Sequence, residues 1–349
     1  MEQAVKAFWD PAQQAHAPDF FLQRGKVRPN FEIPARAEAL LAACQAMRLD
    51  IIQPPPVDRT AIERVHAPDY LDFLRDSPAL WHALPDASAE LVANIHPTPE
   101  MLANGARRSA SVIGQLGWYT ADAACPIGPH TYDASMRAAA GAIAAADEAA
   151  LGRHAYALAR PPGHHAYPAR AGGHCYLNNA AIAAERLRAK GAKQVAVLDI
   201  DSHHGNGTQG IFWERDDVFF ASVHGDPSRY YPWFVGHAEE RGAGAGLGCN
   251  LNLPLPHGAG DAEWLAAIKH ALGEIRADAL VVSLGFDASK DEPLGFLEVT
   301  EDGFSRAGAA IGAAGIPCAI IQEGGYNFDV IGGLLSRFLT ALGAHATSR

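Results

Sequence analysis

Cysteine is scarce in this 349-residue chain: five in all, an odd number without paired spacing. That excludes a disulfide framework and points to a reducing compartment. Long apolar runs are missing as well. Met1 to Phe21 carries charges and proline instead of a continuous hydrophobic stretch, so no signal peptide is expected. No segment reaches the roughly 20 apolar residues that cross a bilayer. Basic side chains are in deficit, 28 against 39 acidic, for a net charge of −11, which argues against nucleic acid or an anionic membrane as the main partner. Repeats, charge blocks and low-complexity linkers are absent. What remains, 48% hydrophobic and 19% charged, is globular composition. The expectation is a cytoplasmic protein of one large domain or two medium ones, at roughly 150 residues each, burying a core without staples.

Along the chain, Pro34–Arg48 reads as an Ala- and Leu-rich helix with proline in its first turn. Thr60–Leu74 reads as another, with Pro68 inside it. Between about Ser77 and Pro129 the periodicity breaks up among turn-rich pieces such as PTPE and CPIGPH; so long an irregular stretch is usually functional or an interface. Tyr132–Leu151 is a strong Ala-rich helix. From there strands and helices alternate: His154–Ala159, Val195–Ile200, Val218–Val223, Ala279–Leu284 and Cys318–Ile321 as strands, with Asn178–Lys190, Asp261–Ile275, Gly303–Ala314 and Val330–Leu342 as helices. Strands apolar throughout and alternating with helices predict an α/β fold, a mainly parallel multi-stranded sheet with helices on both faces. With no linker to divide it, residues 1–349 are expected to form a single domain. The six tryptophans, Phe219 and Phe220 read as core or interface.

In open α/β sheets, ligands bind beyond the carboxyl ends of the strands, and the unusual chemistry of this chain falls there. HAYALA runs into Arg160-Pro-Pro-Gly-His164-His165, VAVLD into Asp199-Ile-Asp201-Ser-His203-His204-Gly-Asn206, ALVVSLGF into Asp287, and CAIIQ into Glu323-Gly-Gly-Tyr326. Asp201 and His203, two apart in extended backbone, point to one side. Asp287 from another strand end makes three ligands, two oxygen and one nitrogen, with a fourth position open as in a catalytic zinc site. A buried Asp–His hydrogen bond pinning a loop is the bland alternative. The oxygen-rich set also accepts Fe²⁺ or Co²⁺. His164 and His165 need orienting acceptors, for which Asp199 and Asn206 are the candidates. A carboxylate partner keeps one imidazole charged while an amide leaves the other nearer neutral, free to act as base. Tyr326 is placed to donate to an oxyanion. Together these parts describe metal-assisted amide hydrolysis.

The motifs RPPGHHA, GGHCYLNNAA, VLDIDSHHGNGTQ, FASVHGDP, SLGFDASKDEPLG and EGGY resemble the zinc-dependent histone deacetylase superfamily, which shares its fold with arginase. The likeness runs from about Ala155 to Tyr326, with a weaker PARAEALL stretch near Arg36. It implies a three-layer arginase/deacetylase-like fold, with Asp201, His203 and Asp287 as ligands of one Zn²⁺. It implies His165 as general base and acid, His164 as its charged partner and Tyr326 as carbonyl activator. A structural K⁺ is implied at Asp199, the backbone oxygens of Asp201 and His203, Ser222 and the Val223 carbonyl. Asn206 in HHGNG is the class II-like form, shared with bacterial acetylpolyamine amidohydrolases.

Those bacterial enzymes are the most similar group. ARRSASVIGQLGWYTADA resembles the insertion by which they dimerise and narrow the entrance, so the region of about 77–130 is expected to shape the entrance of a homodimer or homotetramer. Gly173, His174, Tyr231 and Gly324 are the substrate-contacting positions the likeness implies. Two departures stand out. Ile113 and Ala124 occupy the stretch where polyamine enzymes carry acids, with Asp122 nearby, and His174 replaces a tunnel-lining Phe or Tyr. The implied substrate is a small N-acyl amide, best an acetylated polyamine. A protein acetyl-lysine deacetylase and a hydrolase of secondary-metabolite or xenobiotic amides stay open beside it. An arginase-like dinuclear manganese hydrolase and a non-catalytic acyl-ligand sensor fit the residues less well.

Overall fold

A computed structural model describes residues 5–344; residues 1–4 and 345–349, the ends of the expected 1–349 domain, lie outside the described residues. Ten strands occur in chain order: β1 (Lys6–Phe8), β2 (Phe20–Gln23), β3 (Lys26–Pro29), β4 (Asp50–Ile52), β5 (Ala155–Ala157), β6 (Val195–Asp199), β7 (Val218–Gly225), β8 (Asn250–Leu255), β9 (Ala279–Leu284) and β10 (Cys318–Gln322). Eight of them form one sheet in the order β4-β1-β5-β10-β9-β6-β7-β8, with each neighbouring pair parallel. β2 and β3 make a separate antiparallel hairpin.

The apolar strands are buried on both sides because alternate side chains enter different cores. Ala196, Leu198, Leu280, Val282 and Ile320 face a core shared with helices Pro34–Ala46, Asp261–Glu274, Glu301–Ala313 and Ile331–Gly343. Val195, Val197, Val281, Ala319 and Ile321 face the other, with helices Pro68–His82, Thr131–Ala150 and Asn179–Ala189. This is the three-layer α/β arrangement expected. No described helix is long and apolar enough to cross a membrane.

Two expectations need correction. The helix over Thr60–Leu74 is two helices, Arg59–Ile62 and Pro68–His82. The residue before a proline is driven out of the helical region, and Ala67 is extended (φ −63°, ψ 136°), so Pro68 opens the second helix instead of interrupting the first. The stretch from Ser77 to Pro129 is not irregular throughout: it contains the end of that helix, the short helices Pro99–Ala103 and Val112–Tyr119, and a bridge between Leu91 and Ile127. Of the tryptophans expected in core or interface, Trp9 and Trp264 are buried, while Trp233 stands 48% exposed on the wall of the main cavity. The three-residue β1 and β4 are too short to show a pattern. β8 carries Pro254, tolerated because β8 is an edge strand.

Candidate active site

The sheet order brings the chemistry together. β5, β10, β9, β6 and β7 are consecutive neighbours, so their carboxyl ends share one rim although they come from distant parts of the chain. Beyond that rim lies a cavity of about 940 Å³, lined among others by His164, His165, Asp201, His203, Asp287 and Tyr326.

Asp201, His203 and Asp287 converge, each with a ligand atom within 4.8 Å of the others. His203 Nδ1 lies 2.9 Å from Asp287 Oδ2 and 3.2 Å from Asp201 Oδ1. The second oxygen of each carboxylate is held by backbone: Gly324 N–H donates to Asp201 Oδ2 (2.8 Å) and Ser202 N–H to Asp287 Oδ1 (2.8 Å). Glycines leave room for this packing. A Cβ on Gly324 would come within 2.2 Å of Asp287 Oδ2, and one on Gly285 within 2.0 Å of Asp201 Oδ2. Two fully buried carboxylates sharing one imidazole concentrate negative charge away from bulk solvent, which is costly without a cation. The response of His203 reports it: burial opposes charge on the ring, yet Asp287 and Asp201 prevail and push its pKa up to about 9. Two oxygens and one nitrogen in this cradle fit a divalent cation with a position left open.

The histidine pair is differentiated as its partners dictate. Their rings lie 4.0 Å apart. His164 Nδ1–H donates to Asp199 Oδ2 (2.9 Å) and His165 Nδ1–H to Asn206 Oδ1 (2.6 Å). The Asn206 amide is fixed because its NH₂ donates to the Tyr167 hydroxyl (3.0 Å), which turns its oxygen to His165. Burial disfavours a charged His164, but Asp199 and Asp201 outweigh it and lift the pKa to about 10. For His165 burial and the charges on His164 and His203 act together, driving it well below the ordinary value. One imidazole is therefore charged and its neighbour neutral, with Nε2 of His165 unprotonated. Tyr326 is 7% exposed. Its backbone N–H donates to Glu292 Oε2 (2.9 Å), and the Arg36 guanidinium lies 5.6 Å from its ring centroid. Gly325 before it has φ +120°, a conformation that favours glycine, and its carbonyl accepts from Arg36 Nε (2.9 Å).

A family model described as a histone deacetylase domain matches residues 30–342. The chain belongs to the histone deacetylase family. Acetylpolyamine amidohydrolase of Burkholderia pseudomallei is 44% identical over 344 residues, 97% of this chain and 98% of its own length. Acetylpolyamine amidohydrolase 1 of Pseudomonas aeruginosa is 44% identical over 315 residues, 88% of this chain and 90% of its own. The crystal structure of acetylpolyamine aminohydrolase from Burkholderia pseudomallei superposes with a TM-score of 0.93 at 43% identity, covering 98% of this chain and 99% of that one. This member of the histone deacetylase family is thus a hydrolase of amide bonds.

Each site residue expected of this deacetylase-family chain has a definite place. Gly173, His174, Tyr231 and Gly324 line the same cavity as the metal cluster. Asp199 and Ser222 are register partners across β6 and β7, with Val223 next along β7. From the 77–130 region, Ala121 to Ala124 reach the cavity, whereas Ile113 is 45% exposed on its helix and does not line it. Four supporting residues escaped the reading of the sequence. Glu323 is fully buried, and its Oε2 accepts from the N–H groups of Gly163 (2.7 Å) and His164 (3.1 Å), anchoring the histidine turn. Glu292 braces Tyr326, Tyr167 orients Asn206, and the Tyr230 ring stacks on His203 at 4.4 Å. Glu323 was visible in the EGGY motif; its partners, distant in the chain, were not.

Proposed function

We propose that this hydrolase removes the acyl group from small N-acylated amines, acetylated polyamines foremost. Zn²⁺ would be held by Asp201, His203 and Asp287. A structural K⁺ would sit at Asp199, the Asp201 and His203 backbone oxygens, Ser222 and the Val223 carbonyl. The observation that carries the reaction is the charged–neutral histidine pair beside a three-donor cluster and Tyr326 in one cavity. The substrate class is supported by near full-length relatives that are themselves acetylpolyamine amidohydrolases. Five free thiols are consistent with a cytoplasmic setting.

A divalent cation bound at the three donors supplies Lewis acidity toward an acyl carbonyl and toward water. The chain's own groups do the rest. His165, its Nδ1–H committed to Asn206, offers Nε2 to take a proton from the attacking water. His164 remains protonated against Asp199 and stabilises the charge developing beside it. Tyr326 donates its O–H to the carbonyl oxygen as that oxygen becomes an oxyanion. The proton on His165 Nε2 then passes to the amine nitrogen as the C–N bond breaks, leaving carboxylic acid and amine, which after proton exchange are carboxylate and ammonium.

The test is a panel on zinc-loaded enzyme: N-acetylputrescine, an acetyl-lysine peptide and an uncharged amide, with Tyr326→Phe as control. The highest kcat/KM is expected on acetylputrescine, with all three activities depressed in the variant. Turnover of the peptide alone overturns the substrate assignment, and full activity of Tyr326→Phe overturns the mechanism.

A further inference from the structure

Asp122 occupies a position that the catalytic machinery leaves unused. It lies in the loop after helix Val112–Tyr119 and lines the cavity. Its carboxylate reaches three ways: Oδ1 accepts from Ala124 N–H (2.7 Å), and Oδ2 from Gly173 N–H (3.2 Å) and from the Tyr231 hydroxyl (2.6 Å). These partners are two backbone amides and a phenol, none of them charged. The negative charge therefore stays uncancelled on the cavity wall.

The consequence falls on Tyr231. A phenol has one proton to give, and this one is spent on Asp122. The Tyr231 oxygen can then offer the cavity only lone pairs, with a carboxylate directly behind it. Burial and the Asp122 charge together hold the Tyr231 pKa well above its ordinary value, so the hydroxyl keeps its proton. The Tyr231 ring stands edge-on to His165, centroids 4.9 Å apart at 87°, so the phenol is part of the cavity wall that the substrate passes. The facing wall is fitted to it. Gly173 has φ +51°, and a Cβ there would come within 2.5 Å of His165 Cδ2 and 2.9 Å of Tyr231 Oη. The next residue, His174, has φ +65° and donates its N–H to Ala124 O (3.0 Å). Asp122 thus ties the entrance loop to both walls, at Gly173 and at Tyr231.

We propose that Asp122 and Tyr231 form the specificity-determining pair of this cavity, with Asp122 as positioning residue. The carboxylate makes the phenol oxygen an obligatory acceptor backed by negative charge, which selects N-acyl amines whose chain carries a second, protonated nitrogen over neutral alkyl amides of the same length. The inference rests on the proposed N-acylamine reading and supplies for it a source of cation preference in a cavity where Ala124 offers none and which Ile113 does not line.

The experiment compares kcat/KM on N-acetylputrescine and on N-butylacetamide, which is similar in chain length but uncharged, for zinc-loaded wild type, Tyr231→Phe and Asp122→Asn. Both substrates are read on one preparation, so their ratio is insensitive to the fraction folded. Wild type should favour the cationic amide, with the preference shrinking as salt is raised. Each variant should lose about tenfold of that preference through KM on the cationic substrate, the scale of one hydrogen bond to a charged group. Variants that keep the wild-type ratio within about twofold, or that lose both substrates in parallel through kcat, overturn the proposal while leaving the polyamine reading intact. A wild type that does not discriminate overturns the polyamine reading itself.

Discussion

Asn206→Asp exchanges an amide for a carboxylate beside His165 and should narrow the difference between the two histidines. The neighbouring pair calibrates the effect: with Asp199 Oδ2 at 2.9 Å, and with help from Asp201, His164 is lifted from 6.5 to about 10 despite complete burial. The introduced carboxylate would stand at a similar distance, since Asn206 Oδ1 is 2.6 Å from His165 Nδ1. His165 starts well below its ordinary value, because burial and the charges on His164 and His203 all oppose protonation. The added carboxylate pushes it upward, by the same cause that lifts His164. The sign follows: His165 acts as base only when neutral, so a raised pKa removes activity on the acid side and leaves the alkaline side unaffected. Wild-type kcat/KM should show no limb near the ordinary imidazole pKa from His165, and should fall only as His164 loses its proton toward about 10. In Asn206→Asp the acid limb should move to higher pH than in wild type, with roughly two- to tenfold less activity at the acid end and recovery above it. The assay is kcat/KM against pH on metal-loaded enzyme, with metal content checked at each pH. A variant whose acid side overlays that of the wild type would refute the division of labour between the histidines.

Three further outcomes follow from the packing. Glu32 is fully buried, with Arg160 Nε at 2.8 Å and Arg36 Nη1 at 3.4 Å, both guanidinium groups themselves buried; Glu32→Gln strands two cations and should cost about 3–5 kcal/mol, read as a thermal midpoint several degrees lower, and a change below about 1 °C would contradict it. Gly324→Ala places a Cβ 2.2 Å from Asp287 Oδ2 and 2.7 Å from Asp201 Oδ2, so elemental analysis should find the variant nearly free of divalent metal; stoichiometric zinc would show that the cradle tolerates the methyl group. Leu80, Ile95, Met101, Leu102 and Ile113 are all exposed, an apolar display suited to an interface, and light scattering should find at least a dimer through the 77–130 region; a monomer at micromolar concentration removes that assignment.

The alternation of apolar strands with helices was legible because it is local: short continuous apolar runs such as β6 and β9 and Ala-rich stretches such as Thr131–Ala150 need no knowledge of their neighbours. Pro68 was misplaced because a proline marks a helix start as readily as a break, and only the extended Ala67 decides between them. β1 and β4, three residues each, are strands because β1 pairs with β5 and β4 with β1, not because their own residues insist on it. Which tryptophans are core was not legible: Trp264 is fully buried, whereas Trp233 borders the cavity, and only the packing decides between them.

By itself the sequence determined which donors exist and at which strand ends they stand, since covalent spacing keeps Asp201 near His203 and His164 beside His165. Asp201–His203 lie in a bend just past β6, not in the extended backbone expected, and His164–His165 lie in a turn. The tertiary structure alone decided which strand lies beside which. Strand pairing is a contest among distant segments, settled by how both faces of the whole sheet are buried. The order β5-β10-β9-β6-β7 carries Asp287 to His203 and Glu323 to the turn at His164, while the loops above that rim carry Asp122 to a tyrosine 109 residues further along the chain.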